Sequence, residues 1–155
     1  MAYRIQLFAR SGEPVAQRAA LRLVEESIRL DPAISAKAGD DGVGWAAWEL
    51  AATRAPAEEL DDLLGDLLPP EASGGIVHLG LSTRPEAVKD QVAWALEVGG
   101  PDSVAAADTL IEITLSGPST DWATVHAVGR AAIDLWGAVI YDEDTGFASS
   151  LDEDG

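Results

Sequence analysis

Residues 109–115 read Thr-Leu-Ile-Glu-Ile-Thr-Leu, and this short segment gives the clearest indication of the fold class. Its aliphatic side chains alternate with Glu112 and Thr114, which is the two-residue period of a β-strand with one apolar and one polar face. A strand buried on both faces of a parallel sheet would be a continuous apolar run instead. The pattern therefore predicts a largely antiparallel sheet with one packed face and one face that is solvated or used for binding.

Segments with strand-like and helix-like periods alternate along the rest of the chain. The predicted strands are residues 3–8, 43–51, 76–82, 109–115 and 138–141. The predicted helices are residues 13–30, 56–68, 83–98 and 119–136, and residues 39–42 are predicted to form a turn. The helix over 56–68 has a leucine stripe on one face and acidic residues elsewhere around it.

The order β-α-β-α-β-α-β-α-β is compatible with a parallel sheet covered by helices on both faces. Polar residues at alternate strand positions, such as Arg4 and Gln6 or His78 and Ser82, argue against that fold. We therefore predict an α+β fold, a two-layer sandwich with a ferredoxin-like β-α-β-β-α-β core. The helix over 56–68 would be inserted in this core, and the last helix and strand would be added to it. Residues 1–147 are predicted to form a single domain and residues 148–155 an acidic tail.

Charge is distributed unevenly along the chain. The 155 residues include 10 basic and 27 acidic ones, for a formal net charge of −17. Residues 1–37 carry +2, residues 38–90 carry −8 and residues 91–155 carry −11. Such a molecule is repelled by nucleic acid and by anionic membrane surfaces, and it attracts basic proteins. The composition therefore predicts a basic protein partner, no nucleic acid and no membrane.

The localisation predicted from the sequence is the bacterial cytoplasm. The apolar runs are far shorter than the ~20 residues of a membrane span, and the N-terminus lacks a basic stretch followed by an apolar one. The chain contains no cysteine, so thiol catalysis, disulfides and zinc–thiolate sites are excluded.

No catalytic, cofactor or metal motif is recognisable in the sequence. The two histidines, His78 and His126, are typical of residues at the boundary of a core, and no Gly-x-Ser-x-Gly elbow is present. The glycine-rich stretch 39–44 precedes a strand and carries two carboxylates, which is unsuitable for binding phosphate. Residues 142–153 resemble a calcium loop in spacing but have Phe147 where the turn needs glycine. We therefore predict no catalytic residue and no cofactor.

The aromatic residues indicate a binding surface. Trp45 and Trp48 are expected on opposite faces of their strand, so one of them should point away from the helices. Trp94 lies off the centre of its helix stripe, and exposed aromatics are enriched at the centres of interfaces. The predicted partner-binding residues are Trp48, Trp94, Asp61, Asp62, Asp66 and Glu112. An alternative pocket on the open sheet face would consist of Arg4, Gln6, His78 and Glu112.

Residues 135–147 read Leu-Trp-Gly-Ala-Val-Ile-Tyr-Asp-Glu-Asp-Thr-Gly-Phe. This helix-strand-turn ending resembles that of various small bacterial domains of unknown function, including some immunity proteins of polymorphic toxin systems. The resemblance implies a cytoplasmic, non-enzymatic protein that binds and neutralises a partner, and it assigns no binding residues.

Three functions are compatible with the sequence. The first is a non-catalytic acidic domain, of the immunity or inhibitor type, that binds a basic protein. The second is a small enzyme or ligand-binding domain with its pocket on the open sheet face. The third is a homodimeric structural module whose sheets pack face to face. The missing motifs favour the first and third over the second.

Overall fold

The computed structural model describes residues 3–52, 76–115 and 122–142. The strands are β1 (Tyr3–Ala9), β2 (Ile34–Gly42), β3 (Trp45–Ala52), β4 (Val77–Ser82), β5 (Thr109–Leu115) and β6 (Val139–Asp142). The α-helices are α1 (Ala16–Leu30), α2 (Pro85–Glu97) and α3 (Trp122–Trp136), and a 3₁₀ helix spans Asp102–Ala106. The helix predicted over residues 56–68 and the tail predicted over 148–155 lie outside the described residues.

The six described strands form one antiparallel sheet in the order β2-β3-β4-β5-β1-β6. Strand β5, the segment with the clearest alternation in the sequence, is central and pairs with both β4 and β1. Its Ile113 lies opposite Ile5 on one side and opposite Leu79 on the other. The prediction of an α+β fold with an antiparallel sheet is confirmed.

The predicted ferredoxin-like strand order is not the observed one. In a ferredoxin-like core the two β-α-β units interleave, so that the first strand lies beside the strand over residues 77–82. Here β4 pairs with β3 and β5, while β1 pairs with β5 and β6. After β4 the chain passes through α2 and then forms β5 directly beside β4. Strands β4 and β5 are therefore antiparallel neighbours, and β1 cannot lie between them.

Strand β2 was not predicted, and the turn expected at residues 39–42 is part of it. The strand is at one edge of the sheet and only Ile34 is buried, so its sequence has no apolar alternation. A β-bulge shifts the register between Ala38 and Asp41. The turn itself is at Val43 and Gly44, where Gly44 has a φ of 78° that favours glycine.

Helices α1 and α3 pack against one face of the sheet, which we call the inner face. The inner-face side chains of β1 and β5, including Ile5, Leu7, Ile111 and Ile113, are fully buried there. Helix α1 contributes Ala16, Ala19, Ala20, Leu23, Val24 and Ser27, which follow the spacing of a single helical face. This contact forms the main hydrophobic core.

Helix α2 packs on the opposite, outer face, which corrects the prediction of two layers. Phe8 is buried there together with Ala95 of α2 and Val104 of the 3₁₀ helix. Phe8 follows Leu7 in β1 and therefore points to the opposite side of the sheet. Sequence alternation could not predict this arrangement, because it shows that a strand has two faces but not which helix covers each one.

Candidate binding site

The outer face of the sheet is divided into two halves. Helix α2 and the 3₁₀ helix cover the half formed by β1, β6 and the start of β5. In that half Trp94 contacts Tyr141 edge-on, with ring centroids 4.9 Å apart and an interplanar angle of 81°. The other half is formed by β2, β3, β4 and β5, and we call it the open half. It forms a concavity with a volume of about 750 Å³, within the usual range of binding pockets.

The floor of the open half consists of small residues. Ala47 of β3 lies directly opposite Gly80 of β4 in the register. A Cβ atom added at Gly80 would meet nothing closer than the carbonyl oxygen of Glu112, at 3.9 Å. Gly80 also lies opposite Glu112 of β5, so Ala47, Gly80 and Glu112 form one row across three strands. The first two of these residues leave open space at the middle of the row.

Larger side chains stand on either side of this row. Trp45, two residues before Ala47, is partly buried and its indole lies over Gly42 of the neighbouring strand. There is no room for a Cβ atom at position 42, because it would be 2.3 Å from the indole nitrogen of Trp45. On the other side of the row, Glu49 lies directly opposite His78. The recess between these side chains is therefore bordered by an aromatic ring at one end and by polar groups at the other.

The charged residues that line the open half are mostly acidic. Lys37, Asp40, Glu49 and Glu112 line it, which places three carboxylates against one ammonium group. Glu112 also forms an ion pair with Arg4, with 3.9 Å between Oε1 of Glu112 and Nη1 of Arg4. Glu49 has no ion-pair partner within 4 Å among the described residues.

The β2–β3 turn that carries Trp45 is fixed by hydrogen bonds from two neighbouring elements. The backbone N–H of Thr83 donates to the carbonyl of Gly44 at 2.9 Å, and Nε of Arg84 donates to the carbonyl of Val43 at 3.1 Å. From α1, the amide of Gln17 donates to the carbonyl of Gly42 at 3.0 Å. The end of the recess at Trp45 is consequently held by the rest of the fold.

The four residues of the alternative pocket all lie on the outer face, but they do not surround one cavity. His78 and Glu112 line the open half. Gln6 is only 7% exposed, and its amide donates to Oε1 of Gln91 in α2 at 3.4 Å. Arg4 is exposed and lies beside Glu112. The observed concavity is thus centred on β3 and β4 rather than on β1.

The predicted partner-binding residues have different positions in the structure. Trp48 borders the open half through its position in β3, but it packs against the main core. Trp94 packs on the cluster around Phe8 and does not line the open half. Asp61, Asp62 and Asp66 lie outside the described residues, and Glu112 lines the open half. Trp45 was missing from the prediction. The alternation of Trp45 with Trp48 indicated that one of them faces outward, but only the positions of α1 and α3 identify which one.

Within residues 3–52, 76–115 and 122–142 no group of three or more metal-ligating side chains is present. The second histidine, His126, lies on α3 on the other side of the sheet and is partly buried. None of the described helices is both long and apolar enough to cross a membrane.

Comparison of this chain with protein-family models, with curated proteins and with solved structures gave no match.

Proposed function

We propose that this chain is a non-catalytic, acidic protein-binding domain that holds a basic partner on the open half of its outer face. The observation that carries the proposal is the concavity itself, which has a floor of small residues, an aromatic side chain at one end and three carboxylates along its lining. Interfaces of this kind are centred on aromatic side chains and use charge to select and attract the partner.

The charge of the whole molecule supports a basic partner. The described residues include nine basic and fifteen acidic side chains, a net charge of −6, and the remaining −11 of the chain is contributed by residues 53–75, 116–121 and 143–155. The lining of the open half thus has the same sign as the rest of the chain. A basic protein would be attracted over long distance and would meet further carboxylates at the site.

The contacts of the polar residues favour binding over catalysis. Of the four groups in the alternative enzyme pocket, Gln6 is bonded to Gln91 and Arg4 is paired with Glu112. That leaves His78, which lies opposite Thr114 in the register, and no hydrogen bond joins these two side chains to form an activated nucleophile. A domain that neutralises a basic protein by covering it, as the resemblance of residues 135–147 to immunity proteins implies, needs no catalytic group.

Photo-crosslinking in cells of the source organism tests this proposal. A photoreactive amino acid at Ala47 would lie on the floor of the open half, and the matched control at Leu21 would lie on the exposed side of α1. We expect crosslinks from position 47 to a basic protein, and we expect purified complex formation to weaken as salt is raised from about 50 mM to about 500 mM. Equal crosslinking from both positions, or a partner that is acidic and binds independently of salt, would contradict the proposal.

A further inference from the structure

We infer that the recess bordered by Trp45, Glu49, His78 and Glu112 over the Ala47–Gly80 floor receives an arginine side chain of the partner. This inference rests on the proposed function and specifies it. Its basis is the juxtaposition of an indole and two carboxylates around a floor that lacks side chains beyond Cβ.

The dimensions of the recess match the end of one long side chain. Trp45 and Glu49 are four residues apart on β3, which corresponds to about 13 Å along an extended strand. Glu112 is two strands away from β3, about 10 Å across the sheet. Backbone of the partner would remain above the sheet, while the side chain that it carries reaches the floor at Gly80.

The charge of the recess favours a cation. Glu49 has no ion-pair partner within 4 Å among the described residues, and the carboxylate of Glu112 can accept further hydrogen bonds beside Arg4. The chain's own nearby arginines are engaged elsewhere, because Arg4 lies against Glu112 and Arg84 donates to the carbonyl of Val43. Lys37 lies opposite Glu49 in the register, but it is on the edge strand β2, on the side of β3 away from Gly80, and forms no ion pair with Glu49. A cation that occupies the recess would therefore come from the partner.

Arginine fits this arrangement better than lysine. Its planar guanidinium can lie against an indole and direct several N–H donors to carboxylates on different sides at the same time. The ammonium group of lysine is a compact and strongly hydrated charge, and it would leave one of the walls without a contact. The geometry therefore assigns an arginine-containing segment to this surface.

A matched pair of peptides tests the inference directly. The probes are acetyl-Ala-Arg-Ala-amide and the same peptide with citrulline, which is nearly isosteric with arginine but uncharged. Binding to the full chain is followed by two-dimensional ¹⁵N NMR, in which each of the five tryptophans gives one indole N–H signal. We expect the arginine peptide to shift the indole signal of Trp45 and the amide signal of Gly80, and to bind about tenfold more tightly than the citrulline peptide.

Two variants and one control make the test specific to the recess. Glu49→Gln removes an exposed carboxylate that forms no ion pair or hydrogen bond among the described residues, and it should weaken binding of the arginine peptide severalfold. Gly80→Val fills the floor at a position where a Cβ atom has space, and it should abolish binding. Glu25→Gln changes an exposed carboxylate on α1, on the other side of the sheet, and should have no effect. If Gly80→Val does not fold, Glu49→Gln still decides the outcome.

Several results would overturn the inference. One is equal affinity for the two peptides, and another is a response of other indole signals while that of Trp45 stays unchanged. A concentration-dependent shift of Trp45 without peptide would indicate a second copy of the chain in the recess, and exposure of this site only after deletion of residues 53–75 would indicate that the chain covers it itself. If the peptides fail but the crosslinks from Ala47 still identify a basic protein, the arginine site is wrong and the proposed function stands.

Discussion

Glu112 and Ile113 show how neighbouring residues of one strand acquire unrelated roles. Ile113 is fully buried between the sheet and the inner-face helices. Glu112 points to the outer face, where it is partly exposed and lies 3.9 Å from Arg4. An exposed ion pair at this distance contributes little to stability. The main effect of Glu112 is therefore the negative charge that it places on the outer face.

We predict that Ile113→Ala lowers the free energy of unfolding by about 2–5 kcal/mol, because it removes buried methyl groups and leaves a cavity. Glu112→Ala should change stability by less than about 1 kcal/mol. Urea denaturation of both variants provides the measurement. Comparable losses would mean that the outer side of β5 is as tightly packed as its inner side.

Among the elements, the loop that joins β1 to α1 is attached to the start of β5 by one carboxylate. Asp108 accepts the backbone N–H groups of Ser11 and Gly12 at 2.9 and 3.1 Å and the hydroxyl of Thr109 at 2.8 Å. Gly12 has a φ of 69°, a conformation that favours glycine and that turns its N–H toward the carboxylate. The loop and the strand are 96 residues apart in sequence, as the Gly12–Asp108 bond shows.

Asp108→Ala should therefore destabilise the protein by about 1–3 kcal/mol, since two backbone donors lose a charged acceptor. Asp90→Ala is a suitable control, because Asp90 is an exposed acidic residue on α2. Thermal melts of the two variants give the comparison. An unchanged melting temperature for Asp108→Ala would show that water replaces the carboxylate without loss.

At the scale of the whole molecule, two hydrophobic clusters on opposite faces share the same central strands. The main core uses Ile5 and Leu7 of β1, whereas the smaller cluster under α2 uses Phe8 of the same strand. Pairing of β1 with β5 brings residues 3–9 together with residues 109–115. Neither cluster can form fully without this pairing between distant parts of the chain.

The expected consequence is a single cooperative unfolding transition. Phe8→Ala should lower stability by about 3–5 kcal/mol and should shift the unfolding curves from far-UV and near-UV circular dichroism together. Near-UV ellipticity reports the tryptophan environments on both faces, and far-UV ellipticity reports the backbone. Loss of the near-UV signal at lower denaturant than the far-UV signal in this variant would contradict a single transition, because tertiary packing would then be lost before the backbone structure.

The amino-acid sequence was sufficient to predict an acidic α+β protein and the elements in which apolar and polar side chains follow a clear period. Strand β5 and the helices α1, α2 and α3 were predictable because one side of each is buried and the other is wet, which imposes a period on the residues. The acidic charge likewise follows from composition alone, and the prediction of a basic partner rests on that charge. Strand β2 escaped prediction because an exposed edge strand has no such period.

The arrangement of these elements and the position of the open half depend on tertiary contacts that the sequence pattern does not reveal. The pattern of β1 records that Phe8 faces away from Leu7, but the choice of α2 as the helix that covers Phe8 depends on contacts between residues far apart in sequence. The same contacts leave Trp45 on the open half and place Trp48 against the core. Local periodicity shows that a strand has two different faces, whereas long-range packing determines which of them remains available for binding.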